Sequence, residues 1–404
     1  MTDILKGYDI SWAKTVTSVD KDEWNELASL IDFPFLEWDW LRLLEESGSI
    51  CAETGWLSAH MLVRHEGRLV AAVPLYVRDQ SEGEFIFDRV WYEVAQKGGI
   101  TYYPKVVGMS PYTPASGYRF LIAPDVNSEH IVRLICQTLD RFCAANGLGS
   151  SAFNFVDPEW TAEMETHGYA TWQHQGYVWE NHNYADYEQW LATLNGNRRK
   201  TVRRERKSLN AENIRIETLV GDDIPDEYFP MMYKCYAATN DKFGVWSCKF
   251  LNESFFEGLQ KYMRKNLLFT VAFKEGSPDP IAMSMFVFAG DKLWGRYWGC
   301  FEEVRFLHFE LCYYAPIEWA IANNIRLYDP GMGGEHKARR GFLSAPCYSL
   351  HRFSDPSMDL TFKTYILEVN TLENGYINEM NDMMPIIKGR SLDHIKNGAL
   401  IKKT

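Results

Sequence analysis

The chain has 404 residues, with 42 Lys and Arg against 54 Asp and Glu for a net charge of −12; 46% of residues are hydrophobic and 24% charged. That length favours two domains or one large one at ~100–200 residues each, and the composition excludes wholesale disorder, collagen and coiled-coil fibre. The acidic balance argues against a protein coated in nucleic acid, while leaving room for a local basic patch. Eight cysteines, at 51, 136, 143, 235, 248, 300, 312 and 347, form no CxxC pair. They read as reduced thiols, mostly small core hydrophobes, and no metal site is expected. No basic segment followed by an apolar one opens the chain, and no run reaches ~18 apolar residues. The expectation is a cytoplasmic protein without a membrane span.

In chain order, residues 10–19 read as a strand and 20–31 as a helix, with Asp20 and Asp22 at its positive end. Residues 60–77 alternate as two strands about a turn at Glu66-Gly67. A stretch rich in Gly, Pro and aromatics, Phe85 to Arg119, follows and reads as an inserted loop region. Next comes a helix from Ser128, stopped by Asn146 and Gly147, and a strand ending at Val156-Asp157-Pro158. A join lies around Trp179–Lys207. The same order then recurs: a strand at 213–220, a helix beginning near Asp222 and Asp223, and a hairpin at 268–288 turning at Glu275-Gly276. A helix kinked or restarted by Pro316 leads to a strand ending at Tyr328-Asp329-Pro330. A strand at 348–354 and an amphipathic helix from Leu360 to Met384 close the second half. This weak repeat predicts two halves, each a sheet with helices on its faces.

Three segments carry candidate chemistry. Residues 198–207, RRKTVRRERK, set seven cations around one Glu. At helical spacing Arg199, Arg203 and Arg206 share one face, and Lys200, Arg204 and Lys207 the next. Such a helix binds phosphates by charge and by bidentate guanidinium contacts, or it is a solvated face balancing an acidic body; its density tips the reading toward an anionic ligand. Residues 329–342, DPGMGGEHKARRGF, follow a strand, so their glycines let backbone N–H groups approach a ligand. Here Glu335 and His336 are candidates to take a proton from an amine. Lys337, Arg339 and Arg340 are candidates to neutralise an oxyanion or hold a phosphate. In the insertion, Lys105, Tyr112, Thr113 and Arg119 sit among prolines and tyrosines that suit either a binding loop or domain packing. Trp172, Trp179, Trp294 and Trp298 offer stacking surface, though aromatics beside apolar strands more often pack in a core. No HExxH, G-x-S-x-G or GxxxxGK[ST] occurs.

At these residues the chain resembles the FemAB-like family of bacterial proteins, within the GNAT-related acyltransferases, over nearly its whole length. The likeness rests on PFLEWDWLRLLEESGS at 34–49, ETGW at 53–56, YYPK at 102–105, PYTPASGYR at 111–119, the basic run at 198–207 and GEHKARRGF at 334–342. It implies an α/β (α+β) fold of tandem GNAT-like domains, each a mixed, mostly antiparallel sheet flanked by helices. It also implies transfer of an acyl or aminoacyl group to an amine. In the Fem ligases of peptidoglycan bridges, which use aminoacyl-tRNA, a Lys-containing loop before a Gly-Phe pair is similar to Ala338–Phe342, with Arg339 in place of that Lys. Two departures stand out. The Arg-x-x-Gly-x-Gly/Ala turn that holds the CoA pyrophosphate in ordinary GNAT enzymes corresponds to Arg305-Phe306-Leu307-His308-Phe309, with His and Phe for the small residues. Family members often have His before the Trp that is Trp179 here, and this chain has Val178.

The expectation is therefore a Fem-like acyltransferase with domains at 1–178 and 179–404. Glu335, His336, Lys337, Arg339 and Arg340 form the catalytic set. Lys105, Tyr112, Thr113, Arg119, Trp179, Arg199, Arg203 and Lys207 bind substrates. No cofactor is required, with aminoacyl-tRNA or acyl-CoA as donor substrate and a peptide, amino acid or cell-wall precursor as amine acceptor. The alternatives are a CoA-dependent N-acetyltransferase and a non-catalytic binding scaffold.

Overall fold

Both predicted hairpins form, and the first shows why. In the computed structural model, which describes residues 7–244 and 247–383, Glu66 and Gly67 take φ of 50° and 83°, the paired positive values that a two-residue hairpin turn requires. Contacts divide the chain into two compact units, the first holding described residues 7–174 and 347–375, the second 175–346 and those from 376 onward.

The first unit runs β1 (Tyr8–Ala13), α1 (Lys21–Ala28), α2 (Trp38–Glu46), β2 (Leu57–Ser58), β3 (His60–His65), β4 (Arg68–Val73), β5 (Tyr76–Arg78), α3 (Arg89–Lys97), β6 (Lys105–Gly108), β7 (Leu121–Ile122), α4 (Ser128–Asn146), β8 (Ser150–Phe153), α5 (Thr161–Thr166) and the start of β9 (Ala170–Glu180). Asp20 caps α1 by accepting from the amides of Asp22 and Glu23. One sheet is ordered β1-β3-β4-β7, and another places β8 beside β6, then β5 and β2. All pairs are antiparallel except β6 with β8. The stretch Phe85–Arg119 is thus not a loop insertion. It contributes α3, which buries Trp91 and Ala95, and the fully buried β6.

The second unit adds α6 (Tyr187–Ala192), α7 (Gly196–Ala211), β10 (Ile214–Val220), α8 (Tyr228–Asp241), α9 (Glu253–Tyr262), β11 (Leu267–Lys274), β12 (Pro280–Ala289), β13 (Lys292–Cys300), α10 (Leu307–Phe309), a π-helical turn (Glu310–Tyr314), α11 (Ala315–Ala322) and β14 (Leu327–Asp329). Two elements divide between the units: β15 (Leu343–Phe353) starts in the second and α12 (Pro356–Asp382) ends in it. Its sheet runs β10-β11-β12-β13-β14-β9, antiparallel except for the β13–β14 pair. Each unit thus combines mostly antiparallel sheet with helices, as expected, and has one parallel pair, β6–β8 in the first and β13–β14 in the second. Asp222 and Asp223 fall in a 3-10 turn, and α8 starts only at Tyr228, because Ile224 precedes a proline and is held extended. The π turn lies immediately before Ala315-Pro316, where the predicted break falls.

One domain expectation is corrected. Beyond Cys347, β15 and most of α12 belong to the first unit, not to a second domain of 179–404. The cause is apolar burial: Met358, Phe362 and Ile366 cluster with Trp91, Tyr102 and Phe353. Met384, the last predicted residue of α12, lies outside the described residues. Cys136, Cys143, Cys235, Cys312 and Cys347 are buried, reduced thiols. Among the described residues no helix is long and apolar enough to cross a membrane.

Candidate active site

Strands β13 and β14 pair in parallel at Lys292–Leu327, Leu293–Tyr328 and Trp294–Asp329, and then part. On β13 the register against β12 jumps from Met285–Tyr297 to Phe286–Gly295, so Arg296 is the extra residue of a bulge. On the other side the chain leaves β14 through Pro330 into the glycine-rich loop. Gly331 sits at φ 82° and donates its amide to Asp329 Oδ1 at 2.8 Å, a backbone conformation that favours glycine.

That turn aims two carbonyls inward. Lys337 Nζ donates to Gly331 O at 2.7 Å and to Met332 O at 3.1 Å, and the side chain is 4% exposed. Burial pulls its ammonium down to about 8, against the attraction of Asp329. Asp329 is pushed up by burial, opposed by the Gly331 amide and by Lys337. Two of the three ammonium hydrogens are used by these carbonyls, which leaves one to offer.

His336 precedes the lysine, and its Nε2 lies 2.9 Å from the Tyr313 hydroxyl. Burial, then Lys337, Arg340 and Arg339, lower its imidazole to about 4, and His308, whose ring centroid is 5.8 Å away, is lowered to about 3 chiefly by burial. Both rings are therefore neutral at pH 7. Arg340 donates to His336 O at 3.0 Å and to the Glu205 carboxylate at 3.1 and 3.2 Å, and its guanidinium lies 3.2 Å from the Phe309 ring centroid. Gly341 packs against Trp190 and Leu194, where a Cβ would stand 3.3 Å from each, and Phe342 is fully buried in the unit's core. Glu335 and Arg339 are exposed.

The remaining candidates are placed as follows. On α7, Arg199 turns back to the carbonyls of Leu194 (2.7 Å) and Ala192 (3.2 Å), and Arg203 pairs with Glu188. Lys207 is exposed, with Lys200 and Arg204. Trp179 is buried in the core opposite Tyr328. The other four lie in the first unit. Lys105 is 3% exposed and bonded to Ser81, Glu84 and Asp88 at 2.6, 2.9 and 2.8 Å. Tyr112 is buried and donates to Ser49 O at 3.0 Å, Thr113 donates to Pro111 O at 3.0 Å, and Arg119 pairs with Asp157 at 3.4 Å. The structure thus brings His336, Lys337 and Arg340 together, while the expected binding residues divide four to each unit.

Two open cavities, of about 560 and 580 Å³, lie elsewhere: one beside α7, β10 and α11, the other beside α2 and β2. Neither includes the Lys337 loop. Sequence reasoning missed Asp329, Tyr313 and Glu205 as site residues. The signal for Glu205 was present: it stands three residues after Val202 and four before Leu209, the apolar positions of an otherwise cationic run.

Residues 15–388 match the FemAB-like family, described as peptidoglycan biosynthesis/recognition. The chain belongs to the FemAB-like family. No curated protein matches the chain. The fold is similar to that of FemX (TM-score 0.51, 10% identity, covering 83% of this chain and 96% of that one). It is also similar to the C-terminal domain (DUF2156) of a putative lysylphosphatidylglycerol synthetase from Agrobacterium fabrum (0.51, 8%, 89% and 96%). A third likeness is to a conserved protein of unknown function from Bacteroides thetaiotaomicron (0.52, 8%, 85% and 99%).

Proposed function

We propose that this FemAB-like protein transfers an aminoacyl group from an activated ester, with aminoacyl-tRNA as donor, to the amine of a cell-wall precursor or peptide in the cytoplasm, and needs no cofactor. The observation that carries the reading is Lys337, a buried amine with one hydrogen to spare, held where β13 and β14 part and beside a neutral imidazole.

The acceptor nitrogen attacks the ester carbonyl, so a C–N bond forms and negative charge collects on the carbonyl oxygen. The Lys337 ammonium neutralises that oxyanion in a site of low polarity, where such a contact is worth most. The proton of the attacking amine passes to His336, whose lowered basicity keeps it free to accept, with Tyr313 sharing the hydrogen. Collapse breaks the ester C–O bond, and the proton held by His336 goes to the departing alkoxide. Arg340 fixes the loop. The exposed cations Lys200, Arg204 and Lys207 are suited to a donor's phosphates, better than Arg199 and Arg203, which are spent on internal partners.

The rival donor is acyl-CoA. Against it stands the helix start at Leu307, where the amides of Leu307, Phe309 and Glu310 already donate to Val304 O, Phe306 O and Phe306 O at 3.2, 3.0 and 3.2 Å. A pyrophosphate cradle needs such amides free. The test offers the purified protein aminoacyl-tRNA or acetyl-CoA with an amine acceptor. Transfer from the ester, with tRNA binding that weakens steeply with salt, is expected; transfer from the thioester alone would overturn the donor, and neither would favour a binding scaffold.

A further inference from the structure

We infer that Glu205, the single carboxylate of the basic run on α7, is a positioning residue that holds the Lys337 loop in its working conformation; this rests on the acyl-transfer reading above. The basic run offers one inward-facing acid. Glu205 is 4% exposed, and its two oxygens accept from Arg340 Nη2 at 3.1 and 3.2 Å, while Oε2 also accepts from the Tyr314 hydroxyl at 2.6 Å. Arg340 is 7% and Tyr314 1% exposed, so the three form a closed, dehydrated cluster in which each charge depends on the other.

What the cluster holds is the turn that bears the lysine. The Arg340 amide donates to Lys337 O at 2.8 Å, the Phe342 amide to the same oxygen at 3.2 Å, and the Lys337 amide to Gly334 O at 3.0 Å. Arg340 also grips His336 O through Nη1. Arg340 therefore touches the backbone of both members of the reacting pair, His336 and Lys337, and Glu205 is the anion that keeps Arg340 there. Release of Arg340 frees the turn, and Lys337 loses its two carbonyls for water.

The groups facing the Lys337 amine are Asp329 at the end of β14, Cys312 on the π turn, Tyr177 on β9, His308 on α10 and His336 in its own loop. Cys312 is a thiol held up at about 12 by burial. Loss of the Glu205 carboxylate removes negative charge and by itself would lower the lysine further, so an upward shift in the lysine's titration reports movement of the loop.

The experiment compares the full-length protein with Glu205→Gln and with Tyr314→Phe, which keeps the carboxylate and removes one donor. The titration of Lys337 is read by pH-dependent acetylation with acetic anhydride and peptide mass spectrometry, and transfer by kcat and KM. Expected for Glu205→Gln is a shift of the amine from about 8 toward the ordinary lysine range near ~10.4. A kcat lower by about 10- to 100-fold, with donor KM changed less than about twofold, should accompany it. Tyr314→Phe should move both readouts the same way by a smaller factor, and it serves if Glu205→Gln does not fold. Unchanged titration and kcat in a folded variant would overturn the inference. If wild type shows no transfer but Glu205→Gln still moves the Lys337 titration, the acyl-transfer reading fails and the positioning role stands.

Discussion

Each unit buries one lysine among the site candidates, and the two are set up in opposite ways. Lys105, on β6, spends all three hydrogens inside the first unit, two of them on the carboxylates of Glu84 and Asp88. Burial penalises its ammonium, but the two carboxylates outweigh that and hold it above the ordinary lysine value. Lys337 is as deeply buried but touches only two carbonyls, so burial prevails and pulls it to about 8. Burial alone therefore does not make a lysine reactive. The absence of a directly paired carboxylate does. The main chain around them differs too. Beyond the parallel pair β6–β8 the gap is bridged by Tyr118, paired with Val156 and donating to Pro74 O at 2.8 Å; beyond β13–β14 it is occupied by the Lys337 loop.

The contrast breaks first at Lys105. Replacing it by Met strands Glu84 and Asp88 without their cation and should cost about 3–5 kcal/mol in chemical denaturation, whereas Lys337→Met should cost about 1 kcal/mol. Equal losses would erase the distinction. The activity effect runs the other way. Lys337→Ala should lower kcat/KM by about 10²–10³ with an unchanged circular dichroism spectrum, and near-normal turnover would remove Lys337 from the mechanism.

Stability against pH sharpens the same point. Between pH 8 and the unfolded lysine value the unfolded chain binds more protons than the folded one, so Lys337 makes stability rise with pH across that window, by up to about 3 kcal/mol. Lys105 contributes the reverse: its stabilisation is full below the unfolded value and is lost only as pH passes above its raised folded value. Denaturant midpoints from pH 7.5 to 10 should therefore climb in wild type and flatten in Lys337→Met; a slope that survives the substitution belongs to another group. The smallest effect is at the surface. Arg203→Ala breaks an exposed pair with Glu188 and should change stability by less than about 1 kcal/mol, a bound that thermal melts check.

Much of this was legible in the residues. The hairpins, their glycine turns and the Asp-Pro strand ends follow from alternation and turn chemistry, and family membership rests on local runs such as residues 334–342. The Phe85–Arg119 stretch misleads because β6 is four buried residues between Gly- and Pro-rich flanks, too short for periodicity to register. The stripe Met358, Phe362, Ile366 shows that α12 buries a face but not which unit receives it. In the site, the loop's polar residues announce themselves, but their sorting does not: Arg340 and Lys337 are buried while Glu335 and Arg339 point outward, a division made by the φ values of the loop glycines and by Glu205, nine residues into α7.

The central claim, that Lys337 acts as an ammonium poised near neutrality, is tested most directly by the pH dependence of kcat/KM for aminoacyl transfer between pH 6 and 10. His336, lowered to about 4, adds no limb in that range. The rate should rise with deprotonation of the acceptor amine and fall above about pH 8 as Lys337 loses its charge; a rate that keeps rising to pH 10 would contradict the account.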